Sequence, residues 1–283
     1  MSVPSLRARL AAGELVLAPG VFDGLSARIA RRAGFTALYA SGGAIARSIG
    51  YPDVGLVTAT EMLRRIEEIV EAAGGLPVVA DADTGYGGVL NVVRTVRALE
   101  RAGVAALHIE DQETPKRCGH YADSRVVPVP EMVAKVKAAL DARRDPKLLV
   151  IARTDSRGRL GFDEALARAR AYKAAGADVI FAEALASRDE LARLAREVEG
   201  PLMVNLVPGG RTPLLPLEEL RAMGYRLVIC ASDLQRAAMH AMVRAAQAIR
   251  EHGYAAGVEA ASFAERDLLV DKPDWDELER RFS

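Results

Sequence analysis

Lys116-Arg117-Cys118-Gly119-His120 places a thiol, two cations and an imidazole within five residues, directly after the acidic run Glu110-Asp111-Gln112. About thirty residues upstream stands a second acidic pair, in Asp81-Ala82-Asp83-Thr84-Gly85-Tyr86-Gly87. Carboxylate oxygens suit a hard divalent cation, and a thiol flanked by cations can exchange a proton near neutral pH. Together they predict metal-assisted chemistry on a small anionic substrate. One Cys and one His cannot supply a four-ligand zinc site, so the thiol is read as reactive rather than metal-bound.

The elements that must position these groups follow from periodicity. Short apolar runs at 15–21, 37–41, 77–81, 106–110, 148–153, 178–183, 202–205 and 226–230 alternate with helical-period stretches such as 61–73, 90–102, 130–143 and 163–175. The strand runs are almost continuously apolar, as parallel strands covered on both faces require. Ala33-Gly34, Ala102-Gly103 and Ala175-Gly176 read as helix C-caps. Eight βα units in one chain predict a closed (β/α)₈ TIM-type barrel over 1–283. An open doubly wound sheet is disfavoured, because Ala18-Pro19-Gly20-Val21-Phe22-Asp23-Gly24 does not fit a dinucleotide-binding turn. A C-terminal extension over 233–283 has room for helices near 234–252 and 275–282, more than the barrel needs, which predicts packing on a neighbouring subunit.

Lys plus Arg and Asp plus Glu are equal at 38 each, so no net charge draws the chain to nucleic acid or an anionic membrane. No apolar run is long enough to span a bilayer. The two cysteines, Cys118 and Cys230, make no disulfide framework and predict a reducing, cytoplasmic setting. Cys230 reads as inert packing.

Nearly every predicted strand ends in a polar residue that a core does not need. Tyr39 and Ser41-Gly42-Gly43 follow strand two, Asp81 and Asp83 strand three, Glu110 strand four, Arg153 strand five, Glu183 strand six and Asn205 strand seven. A barrel brings these ends to one face. Gly42 and Gly43 let backbone N–H groups approach an anion, Ser41 adds a hydroxyl donor, and Arg153 can grip a carboxylate through two parallel hydrogen bonds. A structural ion pair with Glu183 is the alternative for Arg153, and helix capping or arginine pairing the alternative for the acids.

These motifs, with Ala152-Arg153-Thr154-Asp155, Ala182-Glu183-Ala184 and Gly210-Arg211-Thr212-Pro213, resemble the isocitrate lyase/phosphoenolpyruvate mutase superfamily. Within it the chain is most similar to the methylisocitrate lyase and 2,3-dimethylmalate lyase branch. The resemblance implies a homotetramer exchanging C-terminal helices, and a site using Mg²⁺, with Mn²⁺ as a substitute. Asp81 would be the direct ligand, with Asp83, Asp53 and Glu110 acting through coordinated water. It implies substrate contacts from Ser41, Gly42, Gly43, Arg117, Gly119, Arg153, Glu183, Asn205 and Arg236. Tyr39 matches the candidate base, Cys118 the proton donor, and Lys116 and His120 accompany the thiol; His120 either orients it or is an acid itself.

The implied reaction is cleavage of a small 2-hydroxy di- or tricarboxylate into an α-keto acid and a carboxylic acid, with the segment 112–127 closing over the site. Oxaloacetate hydrolase or decarboxylase, and carboxyphosphonate or phosphoenolpyruvate phosphonomutase activities, are the alternatives on the same scaffold. Ser124, where relatives often carry lysine, and Pro208, where many carry glutamate, depart from the lyase pattern.

Overall fold

The structure is a computed structural model that describes residues 4–117 and 125–283. Cys118, Gly119, His120 and Ser124 therefore lie outside the described residues. The strands are β1 (Val16–Val21), β2 (Leu38–Ala40), β3 (Val78–Asp81), β4 (Ala106–Glu110), β5 (Leu149–Thr154), β6 (Val179–Ala182), β7 (Leu202–Asn205) and β8 (Tyr225–Cys230). Each is parallel to the next, and β8 returns to β1 from Val16↔Leu227 to Pro19↔Cys230, closing the barrel. The predicted strands appear with ends shifted by at most about two residues, the usual uncertainty of an element boundary.

Alternation divides the apolar residues into two cores. Odd and even positions separate so that Val16, Ala18, Tyr39, Val79, Ala106, Ile151, Phe181, Met203 and Ile229 fill the barrel interior. Leu6 and Leu10 join them from α1 (Leu6–Ala11), a helix that the sequence reading did not anticipate. The opposite strand faces pack outward against α2 (Gly24–Arg32), α3 (Gly42–Ser48), α4 (Ala59–Ala73), α5 (Val89–Arg101), α6 (Val129–Ala142), α8 (Phe162–Ala174), α9 (Arg188–Glu197) and α10 (Leu217–Met223), while the short α7 (Arg157–Leu160) buries no residue.

Local chemistry fixes the helix ends. Thr58 and Glu61 form a reciprocal capping box on α4, as Asp23 and Ser26 do on α2. Gly34, Gly103 and Gly176 turn the chain out of α2, α5 and α8 at φ of 88°, 86° and 104°, a region costly for residues with a Cβ. Gly20 on β1 meets a different demand: a Cβ there would lie 2.2 Å from the Ala231 carbonyl oxygen.

After β8 come α11 (Asp233–His252), α12 (Phe263–Leu269) and α13 (Lys272–Phe282). Gln235, at the start of α11, is buried and its amide donates to the Ala44 carbonyl. Beyond it Met242, Val243, Ile249, Phe263, Trp275 and Phe282 are all exposed. Asp271 ties this segment to α2 through Arg28, Arg31 and Arg32. Among the described residues no helix is long and apolar enough to cross a membrane.

Candidate active site

Residues two apart on a strand share a face, so the inward apolar series continues into polar residues at the C-terminal rim. Val79 leads to Asp81, Ala106 through His108 to Glu110, Ile151 to Arg153 and Asp155, Phe181 to Glu183, and Met203 to Asn205. The registers place His108 beside Asp81 and Arg153 beside Glu110. A polar chamber of about 110 Å³ opens there, bordered by Tyr39, Ser41, Asp53, Asp81, Lys116, Arg117, Arg153, Glu183 and Asn205.

The acids converge on Lys116. Its Nζ lies 2.5 Å from Asp53 Oδ1 and 2.7 Å from Asp83 Oδ1, and it is 7% exposed. Burial alone would push the ammonium down; Asp83, Glu110, Asp81 and Asp53 outweigh that and hold its pKa well above the ordinary lysine value. Burial likewise pushes Asp83 up to about 6, against the pull of Lys116, and carries Glu110 well above the usual carboxylate range. Asp81 goes the other way: burial is outweighed by His108, Lys116 and Arg153. Burial pushes His108 itself down to about 4, leaving it neutral at pH 7, so the two true cations are what keep Asp81 ionised there.

Gly42 and Gly43 lie against the acids. The Gly42 N–H donates to Asp81 Oδ2 at 3.2 Å, and a Cβ on Gly42 would sit 2.6 Å from that oxygen. A Cβ on Gly43 would sit 2.6 Å from Asp53 Oδ2. Here the glycines make room for the acids, while the Ser41 hydroxyl caps α3 by accepting from Ala44 N–H at 3.4 Å.

Arg153 is paired with a carboxylate of the chain. Its Nε and Nη2 donate to Asp155 Oδ2 and Oδ1 at 2.9 and 2.8 Å, so the two-pronged grip is taken within the protein. Glu183 is 3.8 Å away, and Nη1 turns to Glu110 Oε2 at 3.3 Å. Glu183 instead accepts from Asn205 Nδ2 at 3.2 Å and from Ala184 N–H at 2.8 Å. Arg236 stands outside the chamber lining, exposed on α11, and donates to the Pro208 carbonyl at 2.7 Å.

Tyr39 is buried, with its hydroxyl 3.2 Å from Asp81 Oδ2 and 2.8 Å from His108 Nε2. Burial and then Asp81 drive its pKa well above 10, while Arg153 and Lys116 pull it back. The phenol therefore carries its proton at neutral pH, within reach of both Asp81 and His108, and the His108 tautomer sets the direction of the shorter of the two hydrogen bonds. His108 is the rim residue that the sequence reading passed over; its place two residues before Glu110 on one strand was the available signal. Asp111, the other half of the Glu110-Asp111 pair, faces outward instead. It accepts from Tyr172 Oη at 2.7 Å, Arg168 Nη1 at 3.1 Å and Asp155 N–H at 2.9 Å.

Gln112 makes two 2.8 Å hydrogen bonds with the backbone of Arg117 and pairs with Val126 as an antiparallel bridge. Cys230 is partly buried, and burial pushes its thiol up to about 11, as expected of an inert cysteine.

The raised pKa of Asp83 fixes a sign. The fold favours its protonated form, so this contribution to stability is full below about pH 4 and is lost as the pH rises through about 6. Asparagine mimics the protonated side chain. In metal-free protein Asp83→Asn should gain stability over the wild type between about pH 4 and pH 7, by about 2 kcal/mol for a shift of this size. Urea denaturation at the two pH values measures it, and a difference that is flat or shrinks with pH contradicts the assignment.

The family model described as phosphoenolpyruvate phosphomutase matches residues 6–250. The chain is 44% identical over 281 residues to the 2,3-dimethylmalate lyase of Eubacterium barkeri, covering 98% of this chain and 97% of that protein. It is 44% identical over 248 residues to the 2-methylisocitrate lyase of Aeropyrum pernix, covering 88% and 80%. Among solved structures, 2,3-dimethylmalate lyase in a trigonal crystal form superposes with a TM-score of 0.93 at 36% identity, covering 100% of this chain and 97% of that one. Oxaloacetate acetylhydrolase bound to 3,3-difluorooxalacetate gives 0.92 at 35% identity, covering 98% and 95%. On sequence and architecture alike, the chain belongs to the phosphoenolpyruvate phosphomutase family, within the phosphoenolpyruvate mutase/isocitrate lyase superfamily.

Proposed function

We propose that this chain is a Mg²⁺-dependent carbon–carbon lyase that cleaves a 2-hydroxy di- or tricarboxylate, of the 2,3-dimethylmalate or 2-methylisocitrate type, into an α-keto acid and a carboxylic acid. The observation that carries the reading is the set of four carboxylates gathered around Lys116 and Arg153 beside a polar chamber.

The residues fit a hard cation. The Lys116 ammonium stands in for positive charge between Asp53 and Asp83, and neither oxygen of the buried Glu110 carboxylate is hydrogen-bonded among the described residues. No three Asp, Glu, His or Cys side chains among the described residues are grouped closely enough to enclose an ion by themselves. Mg²⁺ does not need such a cage, because it keeps several waters and takes one or two protein carboxylates with substrate oxygens. Asp81 would hold it directly, and Asp83, Asp53 and Glu110 through water. When bound, the ion supplies Lewis-acid polarisation of the substrate's hydroxyl and carboxylate oxygens.

The chain's own groups account for the rest. Ser41, Arg117, Arg153, Glu183 and Asn205 orient the substrate's oxygens in the chamber, with the Gly42–Gly43 turn keeping the acids in reach. Tyr39 takes the hydroxyl proton as its own phenolic proton passes to the neutral His108 imidazole, 2.8 Å away. Its phenol must first be brought down in pKa, which Arg153 and Lys116 favour. The C2–C3 bond then breaks with its electron pair on the departing acid, and Cys118 protonates that carbon, attended by His120 and Gly119. General acid–base steps of this kind contribute about 10²–10⁴-fold each.

A second reading, oxaloacetate hydrolysis, is favoured by the close structural similarity to oxaloacetate acetylhydrolase. A panel of 2,3-dimethylmalate, 2-methylisocitrate, isocitrate, citramalate, oxaloacetate and phosphonopyruvate with Mg²⁺, read by coupled keto-acid release, separates the two. The lyase reading expects turnover of the first or second compound, and Cys118→Ser to lower its kcat by about 100-fold or more with the fold intact. Inert 2-hydroxy acids beside an active oxaloacetate or phosphonate, or an unchanged kcat in the serine variant, contradict it.

The whole chain is read as one barrel domain with residues 233–283 as an extension whose exposed apolar faces serve assembly. A homotetramer with exchanged C-terminal helices would cover Met242, Val243, Trp275 and Phe282, and few cysteines suit a cytoplasmic enzyme. Light scattering at micromolar concentration should give four times the 30.3 kDa chain mass, and a monomer refutes the assembly.

A further inference from the structure

Beside the polar chamber lies a larger cavity of about 430 Å³ between α4 and α5. Val57, Met62, Leu63, Ile66 and Leu99 give it apolar walls. Asp81 and Lys116 border both spaces, so a ligand whose oxygens sit at the acids has the polar chamber on one side and this cavity on the other. The cavity opens to solvent past Leu56, Thr60 and Asn91, so a ligand can enter it, and its apolar walls favour an apolar group there.

Tyr86, on the cavity wall, supports that view independently. Its backbone sits at φ 59°, uncommon for a residue other than glycine, and its hydroxyl is buried with no hydrogen-bond partner among the described residues. Burial, then Asp83 and Asp81, hold the phenol protonated, so it is a donor with no acceptor among the described residues.

We infer that the α4–α5 cavity receives an alkyl substituent on the carbon that departs with the carboxylic acid, with Tyr86 donating to that half of the substrate. This rests on the lyase reading and adds a substrate class to it: 2-hydroxy diacids carrying a 3-alkyl chain of several carbons. A cavity of about 150 Å³ accepts benzene, so this one far exceeds the needs of a methyl group. The chemistry is unchanged. For a 2-methyl-3-alkylmalate the hydroxyl proton goes to the base, the C2–C3 electron pair stays on C3, and C3 takes a proton, giving pyruvate and the longer monocarboxylate.

The test is a series of 2-methylmalates with 3-substituents from methyl to pentyl, each assayed for pyruvate release with Mg²⁺. Burial of about 0.8 kcal/mol per methylene predicts that kcat/KM rises about fourfold for each carbon from methyl to butyl. Ala98→Phe, on the α5 wall of the cavity, should remove that rise and leave 2,3-dimethylmalate within about twofold of wild type. If Ala98→Phe does not fold, the wild-type series decides alone. A kcat/KM that falls from methyl to butyl, or a rise that survives in Ala98→Phe, overturns the inference while the lyase reading stands. No cleavage of any member overturns both.

Discussion

Asp53, Asp81, Asp83 and Glu110 crowd the mouth of one barrel, and burial makes the ionised forms of Asp81, Asp83 and Glu110 costly unless positive charge stands among them. In the chain itself the Lys116 ammonium and the Arg153 guanidinium meet that demand. Removing one partner from a buried ionic cluster typically costs about 3–5 kcal/mol, because the charges left behind keep their desolvation penalty. The cluster is thus held together by cations it cannot do without, and the same demand makes it receptive to a divalent one.

The remainder of the fold serves that arrangement. Strand alternation carries an apolar interior up to the rim and then delivers Asp81, Glu110, Arg153, Glu183 and Asn205 inward at one level. Leu6 and Leu10 of α1 belong to the same interior core. Gly42 and Gly43 are small because carboxylates occupy the space a Cβ would take. Asp155 holds Arg153 rigid by both prongs, so the guanidinium acts as fixed positive charge aimed at Glu110. Fixed charges of this kind need no reorganisation during reaction, which is where preorganised sites derive much of their effect.

The barrel was legible because its strands are short apolar runs and its helices end in Ala-Gly, both local signals. The rim was legible for a similar reason: a polar residue at the end of an apolar strand has no packing purpose. What stayed hidden depends on facing partners. Nothing in Arg153-Thr154-Asp155 states that Asp155, two residues on and on the same face, takes the guanidinium. Glu110 and Asp111 look alike in sequence, yet one residue of register sends Asp111 to Tyr172 and Arg168 behind the sheet. His108 reads as a core residue until its alignment with Tyr39 and Asp81 is known. The α4–α5 cavity comes from how two helices lie, which no stretch of residues encodes locally.

Calorimetric titration of Mn²⁺ into metal-free protein, beside Asp81→Asn, bears most directly on the carboxylate cluster as a cation site. One ion per chain should bind the wild type, and the substitution should weaken binding about tenfold or more with the fold unchanged by circular dichroism. Equal affinity in the two proteins, or no saturable binding by the wild type, would contradict the account.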